Sequence, residues 1–183
     1  DDEQWPYQVA FENCAATGTT RTYADYPEDY VRRDTTVVIE ANLAAANDYS
    51  SVNIQYDMDA ISQALGISTA QMKAVKRNTS GTKGSVVFAG VSGNGGLNYH
   101  TTTTTSSDAC YGHWFSTAGN VVGYDNTAAI YAEMYPDSYV CKLGQYPSRL
   151  SKGRTYTIRQ AFIYTHTDGK QYRATMEVHL NVK

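Results

Sequence analysis

A chain of 183 residues that is 42% hydrophobic is long enough to bury one substantial core, and one domain with an N-terminal appendage is expected. Only 18% of its residues are charged and the net charge is -3, so it exerts no general attraction on phosphates or anionic lipids, and no nucleic-acid partner is expected. No apolar run approaches the roughly 18 residues of a membrane span, so no transmembrane segment is expected either.

The first 34 residues read as a unit of their own. In WPYQVAF, Trp5, Tyr7, Val9 and Phe11 alternate with Pro6, Gln8 and Ala10, the pattern of an edge strand, and a polar connection follows to Asp34. Such a strand, carried on a linker, offers a route to self-association through Trp5 to Phe11. Strands are then expected at Thr36 to Leu43 and Val52 to Tyr56.

MDAISQALGISTAQMKAVKR breaks the β pattern. Met58, Ile61, Leu65, Met72 and Val75 fall at helical spacings, and Ser68 with Gln71 forms a capping box, so two short helices hinged at Gly66 are predicted. Lys73, Lys76 and Arg77 give this stretch a superficial likeness to a helix-turn-helix, but the acidic chain and its β-rich remainder favour a helix pair covering one end of a sandwich.

Further strands are predicted at Ser85 to Val91, Gly112 to Phe115, Val121 to Tyr124, Ala128 to Tyr135 and Tyr139 to Leu143, separated by Gly, Asn, Asp, Ser and Pro clusters. RTYTIRQAFIYT and the strictly alternating QYRATMEVHLNV close the chain as a hairpin turning at Asp168 and Gly169. Residues 35–183 are therefore expected to form a mainly β, antiparallel sandwich of jelly-roll or Ig-like type, with a helical segment near 57–77.

Chemistry-bearing motifs are sparse. Cys14, Cys110 and Cys141 allow one disulfide among three pairings, and Cys110 with His113 has a zinc-like gap that lacks its usual second close pair. No metal and no cofactor is expected. Nucleophile-elbow, zinc-protease and phosphate-loop patterns are missing from the sequence, which leaves Asp125 and Glu133 as an acid and base for a glycosidase.

The aromatic residues say more. The chain has 16 Tyr against 4 Phe and 2 Trp, a usage that suits surfaces where a ring is apolar on its face and wet at its tip, and that looks extracellular. On a strand over Ala128 to Tyr135, Ile130, Ala132 and Met134 share one face, while Tyr131, Glu133 and Tyr135 share the other. Trp114, Tyr124, Asp125 and Tyr146 lie close enough in sequence to join that second face through adjacent hairpins. Rings stack on the C–H faces of sugars and carboxylates bond hydroxyls, so the set is a candidate ligand-binding face; the alternative is ordinary cross-strand packing.

GHWF, VVGYDNTAAIYAE and KLGQYPSRLSKGRTYTIRQAFIY, with the ALGIS helix segment, resemble an uncharacterised domain family of secreted and surface proteins of Bacteroidetes, over about Thr35 to Lys183. The resemblance implies a mainly β extracellular or cell-surface domain that often accompanies glycan-handling proteins, without an activity, and assigns no role to Trp114, Tyr146 or Pro147. If that source holds, Asp34-Thr35-Thr36 is similar to a short O-glycosylation signal with Thr35 as acceptor. Three functions follow as expectations. The first is a non-enzymatic module binding glycan or a surface partner; the second is a filament subunit assembled by N-terminal strand exchange; the third is a glycosidase.

Overall fold

The structure, a computed structural model, describes residues 16–23, 31–44, 47–73, 83–99 and 111–183, with side chains from Asp34 onward. Eleven strands and two short helices are found among them: β1 (Ala16–Tyr23), β2 (Val31–Leu43), β3 (Ser50–Gln55), α1 (Met58–Leu65), α2 (Thr69–Met72), β4 (Val86–Val91), β5 (Leu97–Tyr99), β6 (Tyr111–Phe115), β7 (Val121–Val122), β8 (Ile130–Tyr135), β9 (Val140–Gln145), β10 (Thr155–Thr165) and β11 (Gln171–Val182). They form a six-stranded sheet in the order β1-β2-β11-β10-β4-β5 and a five-stranded sheet in the order β3-β9-β8-β6-β7.

Alternation dictates which residues meet between the sheets. Val37, Ile39, Ala41 and Leu43 of β2 and Ala174, Met176, Val178, Leu180 and Val182 of β11 point inward against Ile130, Ala132 and Met134 of β8, and all are buried in one core. The mainly β sandwich expected from the sequence is therefore what forms, with one parallel pair, β2 on β11, in an otherwise antiparallel set of ladders. A polar cluster lies inside this core. Gln160 of β10, fully buried, accepts from Tyr56 Oη at 3.0 Å and Cys141 Sγ at 3.3 Å, and its amide nitrogen lies 3.0 Å from His113 Nδ1. Sealed polar groups favour one arrangement of partners over others, so this cluster fixes how β6 and β9 register on β10.

The helical segment follows its sequence signals. Asp57 caps α1 by accepting from Ala60 N at 3.0 Å, and Gly66 ends it with φ at 69°, a left-handed conformation that costs glycine least. The Ser68 and Gln71 capping box opens α2. His166, in the β10–β11 turn, places Nε2 3.1 Å from Leu65 O, so the hairpin turn meets the end of α1. The helices thus cover part of the sandwich, with α1 packed on β10 and β11; Val75, Lys76 and Arg77 lie outside the described residues.

Two expectations need correction. The stretch before Asp34, read as a connection, contains β1 and the start of β2, paired from Tyr23 opposite Arg33 to Ala16 opposite Ile39. Its Thr-rich sequence favours strand through β-branching while lacking the apolar alternation that marks a buried face. Thr35 is 1% exposed on the inward face of β2, so its hydroxyl is out of reach of a glycosyl transfer to the folded domain. Trp5 to Phe11, Cys14 and Cys110 lie outside the described residues.

Candidate ligand-binding face

The outward face of the five-stranded sheet is organised in rows that run across its strands. Register places Ser51 of β3, Gly144 of β9, Tyr131 of β8, Trp114 of β6 and Val122 of β7 side by side. The next row holds Asn53, Lys142, Glu133 and Gly112. A third contains Gln55, Val140 and Tyr135. Side chains two residues apart on a strand share a face and sit roughly 6–7 Å apart, so an aromatic row lies directly beside a polar one.

Gly144 sets the geometry of the aromatic row. A Cβ at this position would fall 2.1 Å from Tyr131 Cζ and 2.2 Å from its Oη. The Tyr131 ring therefore lies down across β9 in space that only a glycine leaves open, a cross-strand aromatic covering a glycine. Its hydroxyl reaches toward β3, where Ser51 lies near it. One tyrosine thus bridges three strands and presents its ring as part of the floor.

Tyr146 is the hub of the cluster. It follows β9, where its amide donates to Ala129 O at 3.1 Å and its carbonyl accepts from Arg149 N at 3.2 Å. Ring centroids lie 5.5 Å away at Tyr131, 6.1 Å at Tyr124 and 6.0 Å at Tyr49, and Trp114 Nε1 donates to Tyr146 Oη at 2.9 Å. Trp114 in turn stacks on Tyr124, with centroids 5.6 Å apart and planes inclined by 29°. Aromatic pairs at these separations attract by about 0.5–1.5 kcal/mol each beyond their burial where the rings are shielded, and by less where one ring stands in solvent, as Tyr49 and Tyr124 do. Burial, with neighbouring phenols, raises the Tyr146 hydroxyl's pKa, and burial together with Glu133 raises that of Tyr131. Both stay neutral hydroxyls at physiological pH, able to donate and accept.

Exposure divides the five rings. Trp114, Tyr131 and Tyr146 are half-buried, while Tyr49 at 61% and Tyr124 at 73% are the large hydrophobic side chains most open to solvent among the described residues. The two exposed rings come from opposite edges: Tyr49 immediately precedes edge strand β3, and Tyr124 follows edge strand β7. Arg149 Nη1 donates to Asn126 O at 2.6 Å and ties the Tyr124 loop to the loop after Tyr146.

Of the residues singled out from the sequence, Trp114, Tyr124, Tyr131 and Tyr146 meet in one cluster. Glu133 and Tyr135 occupy the same outward face in the following rows, Glu133 opposite Lys142. Asp125 does something else: its Oδ1 accepts from Thr127 N at 2.8 Å and from the Thr127 hydroxyl, building the turn before β8. These bonds, the hydroxyl's first, hold its carboxyl below the usual carboxylate range. Cys141 points inward to Gln160, and His113 faces the same amide, while Cys14 and Cys110 lie outside the described residues. Tyr49 was missed, because AANDYS carries no strand pattern and nothing local links it to a ring 97 positions later.

A family model matches residues 48–170, described as a domain of unknown function, DUF4859. The chain belongs to this family. The match is narrower than the span of the resemblance. It holds every strand of the five-stranded sheet and all five clustered aromatics, whereas β1, β2 and β11 of the other sheet lie outside it. No curated protein and no solved structure matches this DUF4859 chain.

Proposed function

We propose that this DUF4859 domain is a non-enzymatic, extracellular or cell-surface module that binds glycan through the outward face of its five-stranded sheet. The observation that carries the reading is the joining of Tyr49, Trp114, Tyr124, Tyr131 and Tyr146 into one cluster beside a polar row of Asn53, Lys142 and Glu133. A pyranose has an apolar C–H face and a rim of hydroxyls, and this surface offers rings for the first and amide, ammonium and carboxylate groups for the second. Tyr-rich and Thr-rich composition supports the location. The carboxylate of Asp125 is engaged by Thr127 in a turn and held ionised, so nothing here favours its service as the acid of a glycosidase with Glu133.

A glycan array probed with the whole chain tests the proposal. Binding to one or more glycans is expected, together with its loss in a Trp114→Ala, Tyr131→Ala double variant that still melts cooperatively. Binding that survives the double substitution would remove this face from consideration.

A further inference from the structure

The arrangement of the rings bears on the shape and charge of the ligand. This inference rests on the glycan-binding reading above. The cluster crosses the strands from edge to edge, with a half-buried centre of Trp114, Tyr131 and Tyr146 and an exposed ring on each side. Tyr49 and Tyr124 reach Tyr146 from opposite edges, at 6.0 and 6.1 Å, and Tyr124 also stacks on Trp114 at 5.6 Å. A ligand that fits only the centre leaves both outer rings unused. One that continues across the strands in both directions meets all five.

The centre is built before any ligand arrives. Tyr131 is held down over Gly144, and Trp114 spends its indole N–H on Tyr146. Trp114 therefore supplies a face without a donor. The Tyr146 oxygen accepts that N–H and retains its own hydroxyl proton, a donor whose direction the indole constrains. A preformed centre of this kind loses little side-chain freedom on binding. The outer tyrosines, being exposed, are the adjustable part.

Charge narrows the ligand further. Asp48 adjoins Tyr49, Asp125 adjoins Tyr124, and Glu133 follows Tyr131 in the next row, so a carboxylate stands beside each part of the cluster. Lys142 faces Glu133 across the strands, and Arg149, bonded to the neutral Asn126 carbonyl, keeps its positive charge beside the Asp125 turn, so acids and cations are matched along the cluster with no cationic surplus. A polyanionic chain would find no surplus of positive charge to hold it, and would meet like charge at Asp48 beside Tyr49.

We infer that the ligand is a neutral linear glycan, held along its interior across the strands, with Trp114, Tyr131 and Tyr146 as the fixed central subsite and Tyr49 and Tyr124 as the two outer subsites. Isothermal titration with neutral gluco-, xylo- and manno-oligosaccharides of one to six units, and with oligogalacturonates of the same lengths, tests it. In at least one neutral series affinity should rise with length and then level off. Tyr49→Ala and Tyr124→Ala should each weaken the longer members by about three- to ten-fold and leave the shortest binding member unchanged. Affinity independent of length, or outer-ring variants that affect all lengths equally, would overturn the chain-interior geometry while leaving the binding face in place. Tighter binding of the galacturonates would overturn neutrality. Failure of every sugar to bind would overturn both this inference and the glycan reading beneath it.

Discussion

The two sheets turn outward faces of opposite design. On the six-stranded sheet, part of that face is a lattice of ionic and hydrogen-bonded side chains. His179 Nδ1 lies 2.6 Å from Glu40 Oε2 and its Nε2 lies 2.9 Å from Glu177 Oε2; Arg159 Nε donates to Glu177 Oε1 at 2.8 Å, and Asn181 Nδ2 to Glu40 Oε1 at 3.1 Å. These residues engage one another across β2, β11 and β10, and the lattice clamps the parallel pair. On the five-stranded sheet the rings that lead outward satisfy one another only in part, and two of them stand in solvent. A face whose polar groups are matched internally supports the fold, whereas one that leaves rings and hydroxyls presented to water is suited to a partner.

If that contrast is right, substitutions on the two faces should separate stability from binding. The largest effect is expected for Gly144→Val, whose new side chain occupies the place of the Tyr131 ring; a loss of about 1–3 kcal/mol in denaturant unfolding and loss of glycan binding are predicted together. Trp114→Phe keeps a ring but deletes the Nε1 bond to Tyr146, and should cost about 1 kcal/mol while weakening binding.

Glu177→Gln probes the other face, where the effect should depend on pH and leave glycan affinity unchanged. Burial by itself would lower the His179 pKa, but the bonds to Glu177 and Glu40 outweigh it and raise the value above the ordinary one near 6.5. The stabilisation this provides is complete below about pH 6.5 and is lost as pH rises through the higher folded value. For Glu177, burial would raise the pKa, and the bonds to His179 and Arg159 bring it below its ordinary value. Its contribution is present above about pH 4.3 and is lost as pH falls through the folded value. Thermal melts should therefore show Glu177→Gln costing up to about 1 kcal/mol between roughly pH 4.5 and 6.5, and less at pH 9. A cost that does not vary with pH would mean that the lattice acts by packing alone.

Tyr124→Ala should have the smallest effect on stability, within about 0.5 kcal/mol, because the ring is mostly exposed. If it lowers stability as much as Gly144→Val does, the Tyr124 ring is structural and the contrast between the faces fails.

Periodicity made much of this legible. The division of β8 into Ile130, Ala132 and Met134 against Tyr131, Glu133 and Tyr135 follows from strand parity, and the burial of the first set agrees with it. The Gly66 hinge and the Ser68 to Gln71 box were equally readable, because local conformation decides them. Relations between distant segments were not. Tyr49 joins Tyr146 only because β3 pairs with β9, and the space for Tyr131 exists only because register sets Gly144 opposite it. The parallel pairing of β2 with β11 has the same character, since no local pattern ties Val31–Leu43 to the end of the chain. The turn role of Asp125 was hidden for a different reason: a carboxylate at a strand end can serve a ligand or its own turn, and only the folded chain shows its Oδ1 accepting from Thr127.

The chain contains two tryptophans, Trp5 and Trp114, so a Trp5→Phe variant reports from the proposed binding centre alone. Titrating this variant with a glycan selected on the array should give a saturable change in Trp114 emission whose midpoint equals the dissociation constant measured by calorimetry. An emission spectrum that stays constant while calorimetry records binding would place the ligand elsewhere on the molecule and contradict the account.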